Sequence, residues 1–467
     1  MKGLRIFTTL ILLLCMLVAT TPTFAQLGGS TNTWLKIQNV SGGQVQVTVQ
    51  FISRTGTSYT PSCFDDSSPC TNANPFYLND AVSKYIDVGA IPSLPVGYYS
   101  SVVSANGKVI VEASLSVDTA NASISNLHFD GSYTGFDGGA STVYLPTSTH
   151  NFYGWYSTIS VMNIGASATT VTVTITCTNP ESPGTQGTLS KSNLGANQEY
   201  TWNLKYFVPT GFSASTECRG GAVITATGSQ PVVAVNYQTH LASGKTNAFD
   251  SMTSGSSTVY IPQLNSDYYG WVSALNILKI ESGSTTVTIA YSDEEESDTC
   301  SLTDSAPSCQ LMMNQVHSTG ERFSATITSS PAKNLLASVG SSSTSGFSGG
   351  YNGFNSGSHA VAAPLAMKSW YNWTSALNCM NVSPISTTLQ IAYEGFTPYS
   401  TTTTLYEGDS EQITLANDSH LDTSNWNGSI IITANAANAN IACMIGSSNT
   451  SPPDSGDYAL QYIGLPK

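Results

Sequence analysis

One sequence pattern occurs three times in full along this chain and a fourth time in shortened form. The full copies begin at Val143, Val259 and Val361, and the short copy begins at Thr33 without the V-x-x-P lead-in of the others. In each copy an aromatic residue starts a strand, a short turn follows, and apolar β-branched residues then alternate with polar ones. A period of two predicts half-buried β-strands, and a fixed internal repeat determines the architecture.

The second half of each copy repeats more loosely, as a strand, a small turn, another strand and a closing aromatic-Gly segment. Roughly 100 residues with about seven short strands and no helical periodicity are typical of an antiparallel β-sandwich. The sequence therefore predicts an all-β protein of four tandem β-sandwich domains after a cleaved signal peptide. The predicted ranges are 1–25 for the signal peptide and 27–146, 147–262, 263–365 and 366–467 for the repeats.

The cysteines follow the same division. Apart from Cys15 there are eight, two in each predicted repeat. Eight cysteines allow 105 pairings, and this distribution favours the pairing within repeats. We expect four disulfides: Cys63 with Cys70, Cys177 with Cys218, Cys300 with Cys309, and Cys379 with Cys443.

The N-terminus predicts export. Lys2 and Arg5 precede an apolar run from Ile6 to Ala19, and small residues allow cleavage after Ala25. The run is shorter than the roughly 20 residues that span a bilayer, so we expect no membrane span and a secreted, cell-surface-associated protein. A formal net charge of -14 with only 9 % charged residues excludes a basic nucleic-acid-binding surface.

The W-x-S-x-L/I strand, the T-V-T-V-type strand after it and the closing V-Y-L-P segment resemble tandem immunoglobulin-like or fibronectin-III-like β-sandwich repeats of secreted bacterial cell-surface proteins. The resemblance covers nearly the whole mature chain. It implies an exported, extended, non-enzymatic surface or matrix protein and no active site.

Candidate chemistry is sparse. The segment Gly346–Gly350 matches G-x-S-x-G around Ser348, but it lies in a Gly/Ser-rich stretch that favours a loop over a nucleophile elbow. The six histidines show no metal-ligand spacing, so we expect no catalytic residue, no metal and no cofactor. The acidic residues of 293–298 could hold calcium, although a solvated loop is the simpler interpretation.

The recurrent aromatics are the strongest candidates for a binding site. They are the possible glycan-contact residues Tyr153, Trp155, Tyr269, Trp271, Tyr371 and Trp373. Aromatic faces can stack on sugar rings, whereas recurrence at one structural position favours packing.

The expected function is a structural or adhesive cell-surface or matrix protein, built as a semi-rigid array of repeats in the form of a rod or an arc. The alternative is an extracellular array of glycan-binding modules. Self-association and cell-surface polysaccharide or protein are the expected partners. One route to self-association is head-to-tail contact, because the first repeat lacks a lead-in strand and the final YALQYIGLPK is expected to remain free.

Overall fold

The computed structural model describes residues 29–119, 128–292, 297–451 and 457–467. Nearly all regular structure in these ranges is antiparallel β-strand, so the all-β class is confirmed. The predicted signal peptide and the acidic residues 293–296 lie outside the described residues. In the described part of the chain, no helix is long and apolar enough to cross a membrane.

Repeat 1 contains eight strands around one apolar core that includes Ile37, Val49 and Phe51. One sheet has the order β5-β1-β7-β8, and in the other β2 pairs with β3, β4 and β6. The strands are β1 (Gly29–Asn39), β2 (Val45–Ser53), β3 (Ser58–Tyr59), β4 (Phe76–Leu78), β5 (Ser83–Asp87), β6 (Tyr99–Ala105), β7 (Val109–Thr119) and β8 (His128–Thr134).

Repeat 2 places a core that includes Ile159, Val173 and Ile224 between two four-stranded sheets, β13-β10-β15-β16 and β12-β11-β14-β9. Its strands are β9 (Thr142–His150), β10 (Trp155–Asn163), β11 (Thr169–Cys177), β12 (Gln186–Leu194), β13 (Glu199–Asn203), β14 (Cys218–Ala226), β15 (Val232–His240) and β16 (Thr246–Asp250).

Repeat 3 has the same strand order, and its sheets join through the β17–β18 hairpin. A single helical turn, α1 (Met313–Val316), follows its fifth strand. The strands are β17 (Thr258–Tyr268), β18 (Trp271–Lys279), β19 (Thr285–Tyr291), β20 (Ser297–Leu302), β21 (Ser308–Met312), β22 (Glu321–Ser330), β23 (Leu335–Ser343) and β24 (Ser348–Asn352).

Repeat 4 again packs two sheets, β28-β27-β30-β25-β33 and β29-β26-β31-β32, around one core. Its strands are β25 (Ala360–Lys368), β26 (Trp373–Asn381), β27 (Leu389–Tyr393), β28 (Tyr399–Ser400), β29 (Ser410–Thr414), β30 (Trp426–Ala434), β31 (Ile441–Asn449), β32 (Ala459–Ile463) and β33 (Leu465–Pro466).

The repeat boundaries differ from the predicted ones. Strands β9, β17 and β25, which we call the lead-in strands, cross the predicted boundaries at 146/147, 262/263 and 365/366. Each lead-in strand pairs with a strand of the repeat that follows it, namely β14, β22 or β30. The V-x-x-P segment therefore belongs wholly to the later repeat, because its backbone hydrogen bonds are made there.

In three repeats an asparagine fixes the turn after β1, β10 or β26. Asn163 Nδ2 donates to the carbonyl oxygens of Ser167 (2.8 Å) and Leu194 (2.9 Å). Asn39 and Asn381 make the equivalent bonds. Lys279 replaces this asparagine in repeat 3, and its Nζ donates to the carbonyl oxygen of Glu281 at 2.6 Å.

All four predicted disulfides are present. Cys379 and Cys443 lie directly opposite each other on β26 and β31, and Cys177 and Cys218 join two strands 41 residues apart. The other two pairs close short loops. The pairing was predictable because each repeat holds two cysteines, and each pair joins within its own repeat.

The four repeats form a closed ring. Lead-in strand β9 packs on β18 and β23 of repeat 3, β17 packs on β26 and β31 of repeat 4, and β25 packs on β1 and β7 of repeat 1. At this last interface Val40 and Ile110 bury apolar surface against Ala362 and Ile431. A heterologous contact that repeats with the same geometry generates a closed ring when its rotation closes.

The eighth strand of each repeat, β8, β16, β24 or β32, lies at the centre of the ring, and each contacts the next in cyclic order. We call these the closing strands. The repeats therefore do not form the expected end-to-end rod or arc, because repeats 1 and 4 are in direct contact: Lys108 Nζ donates to the carbonyl oxygen of Pro466 at 2.8 Å. The final segment is also not free, since β32 pairs with β31 and β33 pairs with β25.

Candidate functional site

The turns between lead-in strand and second strand are the most unusual surface features of the ring. In repeats 2, 3 and 4 the two central residues of this turn both have positive φ: Tyr153-Gly154, Tyr269-Gly270 and Tyr371-Asn372. Two consecutive positive φ values define a type I′ turn, in which Asn-Gly is the favoured sequence. A tyrosine with φ of 47 to 49° therefore stands three times where its Cβ is strained.

These three tyrosines project into solvent. Their exposed fractions are 70 % for Tyr153, 87 % for Tyr269 and 74 % for Tyr371. Each ring meets the edge or face of the preceding aromatic side chain, with centroids 4.6 to 5.0 Å apart. We call each pair of neighbouring rings an aromatic tip: Phe152 with Tyr153, Tyr268 with Tyr269, and Trp370 with Tyr371.

Arginine side chains lie beneath two of the aromatic tips. The guanidinium of Arg219 lies 4.9 Å from the ring centroid of Phe152, and that of Arg322 lies 5.5 Å from the ring of Tyr268. Such cation–π contacts hold the inner ring of the tip in place. The outer tyrosine then rests on a fixed neighbour.

The three tips stand at equivalent positions around the ring. The same lead-in contact recurs at three interfaces, so successive repeats are related by similar rotations. Points related in this way lie at the same level along the ring axis. The described residues of repeat 1 form no tip, because β1 runs straight back to Gly29 and pairs with β7 along its whole length.

The predicted tryptophans differ from the tyrosines in their surroundings. Trp155, Trp271 and Trp373 are half-buried at the start of the second strand, and Trp373 packs against the core of repeat 4. Trp34 is not their equivalent. Counting back from Asn39 and Asn163, Trp34 occupies the position of Thr158, three residues further into the strand.

Ser348, the residue of the G-x-S-x-G match, begins closing strand β24 and is fully buried. Its hydroxyl donates to the carboxylate of Asp457 and its backbone N–H donates to the same side chain at 2.8 Å. The backbone N–H of Thr246 donates to Asp457 as well, at 2.7 Å. Asp457 thus joins repeats 2, 3 and 4 at the ring centre, and this strand position lacks the strand-turn-helix of a nucleophile elbow.

Two further carboxyl groups are buried between or near repeats. Asp250 Oδ2 accepts a hydrogen bond from Thr134 Oγ1 at 2.6 Å, and burial raises its pKa to about 7. Burial also raises the pKa of Glu112 to about 8, and raises that of Asp457 well above its ordinary value. The burial of Asp250 and Asp457 had no signal in the sequence, because their hydrogen-bond partners come from other repeats.

Metal-ligand geometry is confined to one place in the described part of the chain, where Cys63, Cys70 and Asp65 come together. The two cysteines are joined in a disulfide there, so they offer no thiolate ligands. The acidic loop that could hold calcium falls largely on 293–296, outside the described residues.

No family model and no curated protein matches this chain. Two solved structures show distant likeness: α2-macroglobulin from Escherichia coli activated by trypsin, and the same protein activated by porcine elastase. The identities are 7 % and 8 % over 94 % and 93 % of this chain, and the TM-score is 0.10 for both. The chain spans 41 % of each of those proteins, and a TM-score this low establishes no shared fold.

Proposed function

We propose that this protein is an exported, non-enzymatic adhesive or structural protein of a cell surface or extracellular matrix. Its four repeats are immunoglobulin-like domains, and it contacts its target through the three aromatic tips of the ring. The observation that carries the proposal is the repeated tyrosine at positive φ in a type I′ turn.

Stability does not explain why a tyrosine occupies this strained and exposed turn position. Tyrosine at this turn position costs about 1 to 2 kcal/mol relative to glycine, and its exposed ring contributes little burial in return. The same choice occurs at three equivalent positions. Strain of this kind clusters at sites that bind ligands, which favours a binding role for the tips.

Three equivalent tips also favour attachment to an extended target. A single exposed tyrosine offers a small contact, but several contacts on one rigid body raise the overall affinity through effective concentration. A polymer or a surface presents the repeated sites that such an arrangement needs.

The proposal can be tested by retention of the processed protein on insoluble cellulose, insoluble chitin and immobilised gelatin. We expect binding to at least one of these probes, and a fall of tenfold or more in the triple variant Tyr153→Ser, Tyr269→Ser, Tyr371→Ser. A variant with Tyr77→Ser and Tyr406→Ser is the matched control, because both tyrosines are exposed outside the tips. Equal binding by the triple variant and the wild type contradicts the proposal, as does failure of the wild type to bind any probe.

The second candidate function is glycan binding, and the paired rings of each tip favour it. An exposed ring supported edge-on by a second aromatic offers a flat apolar face of the kind that sugar rings can cover. Soluble cello- or chito-oligosaccharide separates the two candidates. Competition that releases the protein from its polysaccharide supports glycan binding, whereas unaltered retention on gelatin supports adhesion to protein.

A further inference from the structure

One strand of repeat 1 has an open edge. Strands β14, β22 and β30 each pair on both sides, with a lead-in strand on one edge. Their equivalent β6 pairs only with β2. Among the described residues, the backbone of Tyr99–Ala105 makes no hydrogen bond beyond that ladder. Such an edge is a ready template for an added strand.

The core beside this edge is incomplete. Val103 lies opposite Val49, which is fully buried, but Val103 itself is only half-buried. The equivalent residues Ile224, Ile327 and Ile432 are all 0 % exposed. Because the lead-in strand covers these isoleucines in repeats 2 to 4, its absence explains the exposure of Val103.

Strand β7, on the facing sheet, also carries apolar residues that are less buried than their equivalents in the other repeats. Val109 and Val111 are half-buried, whereas their equivalents in repeat 2, Val232 and Ala234, are 0 % and 1 % exposed. The corresponding residues of repeats 3 and 4 are fully buried as well: Leu335, Ala337, Ile441 and Cys443.

Repeat 2 also has residues next to this gap that are less buried than their equivalents in the other repeats. At the three other interfaces a lead-in strand covers the second strand of the next repeat. There the residue before the turn asparagine or lysine is buried, as for Leu278 and Met380. The equivalent Met162 is half-buried, and so is Ile164 two residues later.

As far back as Gly29, strand β1 does not turn into this gap. By the register from Asn39, Gly29 stands where Tyr153 begins the turn in repeat 2. There β1 continues as a straight strand opposite Thr119. We call the region lined by these half-buried residues of β6, β7 and β10 the repeat 1 slot; at its end, Ser100 Oγ of β6 donates to the carbonyl oxygen of Asn197 in repeat 2 at 2.7 Å.

We infer that the repeat 1 slot binds an extended strand of a partner protein, antiparallel to β6, with the chemistry of a lead-in strand. In β9 the residues that fill the equivalent space are Val143 and Leu145, both 0 % exposed, followed by Pro146 at a register shift. The partner segment therefore carries branched apolar residues at alternate positions and a proline just after them. The described residues of a second copy offer no spare strand of this type, because all three lead-in strands are paired within their own repeats.

The test uses the processed protein and a synthetic peptide with the sequence of residues 142–150, TVYLPTSTH. We expect saturable binding by calorimetry, and slower hydrogen exchange of the β6 amides when the peptide is present. A control peptide with Val143→Asp and Leu145→Asp should bind at least tenfold more weakly. Its backbone can form the same ladder, but it cannot bury charge in the slot.

Two variants of the protein locate the binding. Val103→Asp should weaken peptide binding at least tenfold, whereas Ser104→Asp, which changes an exposed neighbour on the same strand, should leave it within twofold. A third variant carries residues 142–154 directly ahead of Thr31, so that the slot is filled within the chain. We expect this variant to unfold at a higher temperature than the wild type and to lose peptide binding. If Val103→Asp does not fold, this third variant tests the inference by itself.

The inference does not depend on the adhesive role of the aromatic tips. It is overturned if the peptide does not bind at millimolar concentration, or if the β6 amides of the free protein exchange as slowly as those of β14. Dimerisation that protects β6 without peptide also overturns it, and then a second copy pairs at this edge.

Discussion

Asp457 accepts hydrogen bonds from both the backbone N–H and the hydroxyl of Ser348, and through them repeat 4 is fixed to repeat 3 at the ring centre. The backbone N–H of Thr246 makes a third bond to the same carboxyl group. A single buried side chain of one repeat thus satisfies donors from two others, which makes the centre of the ring sensitive to its removal.

We expect Asp457→Ala to lower the free energy of unfolding by about 2 to 4 kcal/mol, because two backbone N–H groups and one hydroxyl lose their buried acceptor. Asp422→Ala changes an exposed carboxylate and should alter stability by less than about 0.5 kcal/mol. Guanidinium denaturation of the oxidised protein measures both. Equal effects of the two substitutions contradict this role of Asp457.

Stability should fall as the pH rises from 5 to 7. Burial raises the pKa of Asp250 to about 7, whereas an aspartate in the unfolded chain titrates near 3.9. Between these values the native state holds a proton that the unfolded state has released, so its stability is lost as the pH rises. The slope is at most about 1.4 kcal/mol per pH unit for each such carboxyl, and Glu112 adds to it with the same sign.

Asp250→Asn keeps an oxygen acceptor for Thr134 but removes this titration. Its unfolding midpoint should vary less with pH than that of the wild type over the same range. A variant with the unaltered wild-type slope shows that Asp250 does not carry the effect.

Removal of different disulfides should have unequal effects. In the chain-entropy account, the Cys379–Cys443 bridge, which closes a separation of 64 residues, stabilises by about 4 kcal/mol. The Cys63–Cys70 bridge closes a separation of 7 and stabilises by about 2.5 kcal/mol. Paired Cys→Ala variants compared by chemical denaturation check the order, and a larger loss for the Cys63 pair is the opposite result.

Asparagine at the aromatic tips should make the protein more stable and less adhesive. Tyr269→Asn places the favoured residue at φ of 49° in a type I′ turn, so we expect a gain of about 0.5 to 1 kcal/mol. The same change at Tyr153 and Tyr371 should add to this gain in stability. Retention on the probe that the wild type binds should fall. Tyr77→Asn, at an exposed tyrosine of strand β4, should not stabilise. A triple Asn variant that is less stable than the wild type shows that the three tyrosines are not strained at these turns.

Much of the local structure was predictable from single segments. The alternation Val171, Val173, Ile175 predicted a strand with one buried face, and all three are fully buried. The capping of the turn by Asn163 was predictable because its side chain bonds to Gly165 and Ser167, which lie within four residues of it along the chain. The aromatic positions were predictable as a group, but their separation into exposed tyrosines and half-buried tryptophans was not, because it depends on backbone φ at the turn.

The sequence by itself determined the all-β class, the repeat and the four disulfides, since period-two patterning and cysteine spacing reflect burial within one repeat. Only the tertiary structure decided that the repeats close into a ring, that Asp457 meets Ser348, and that β6 is left with an open edge. The physical reason is that these contacts join residues far apart along the chain. Their meeting depends on the rotation between successive repeats, which the packing of each lead-in strand on the next repeat sets.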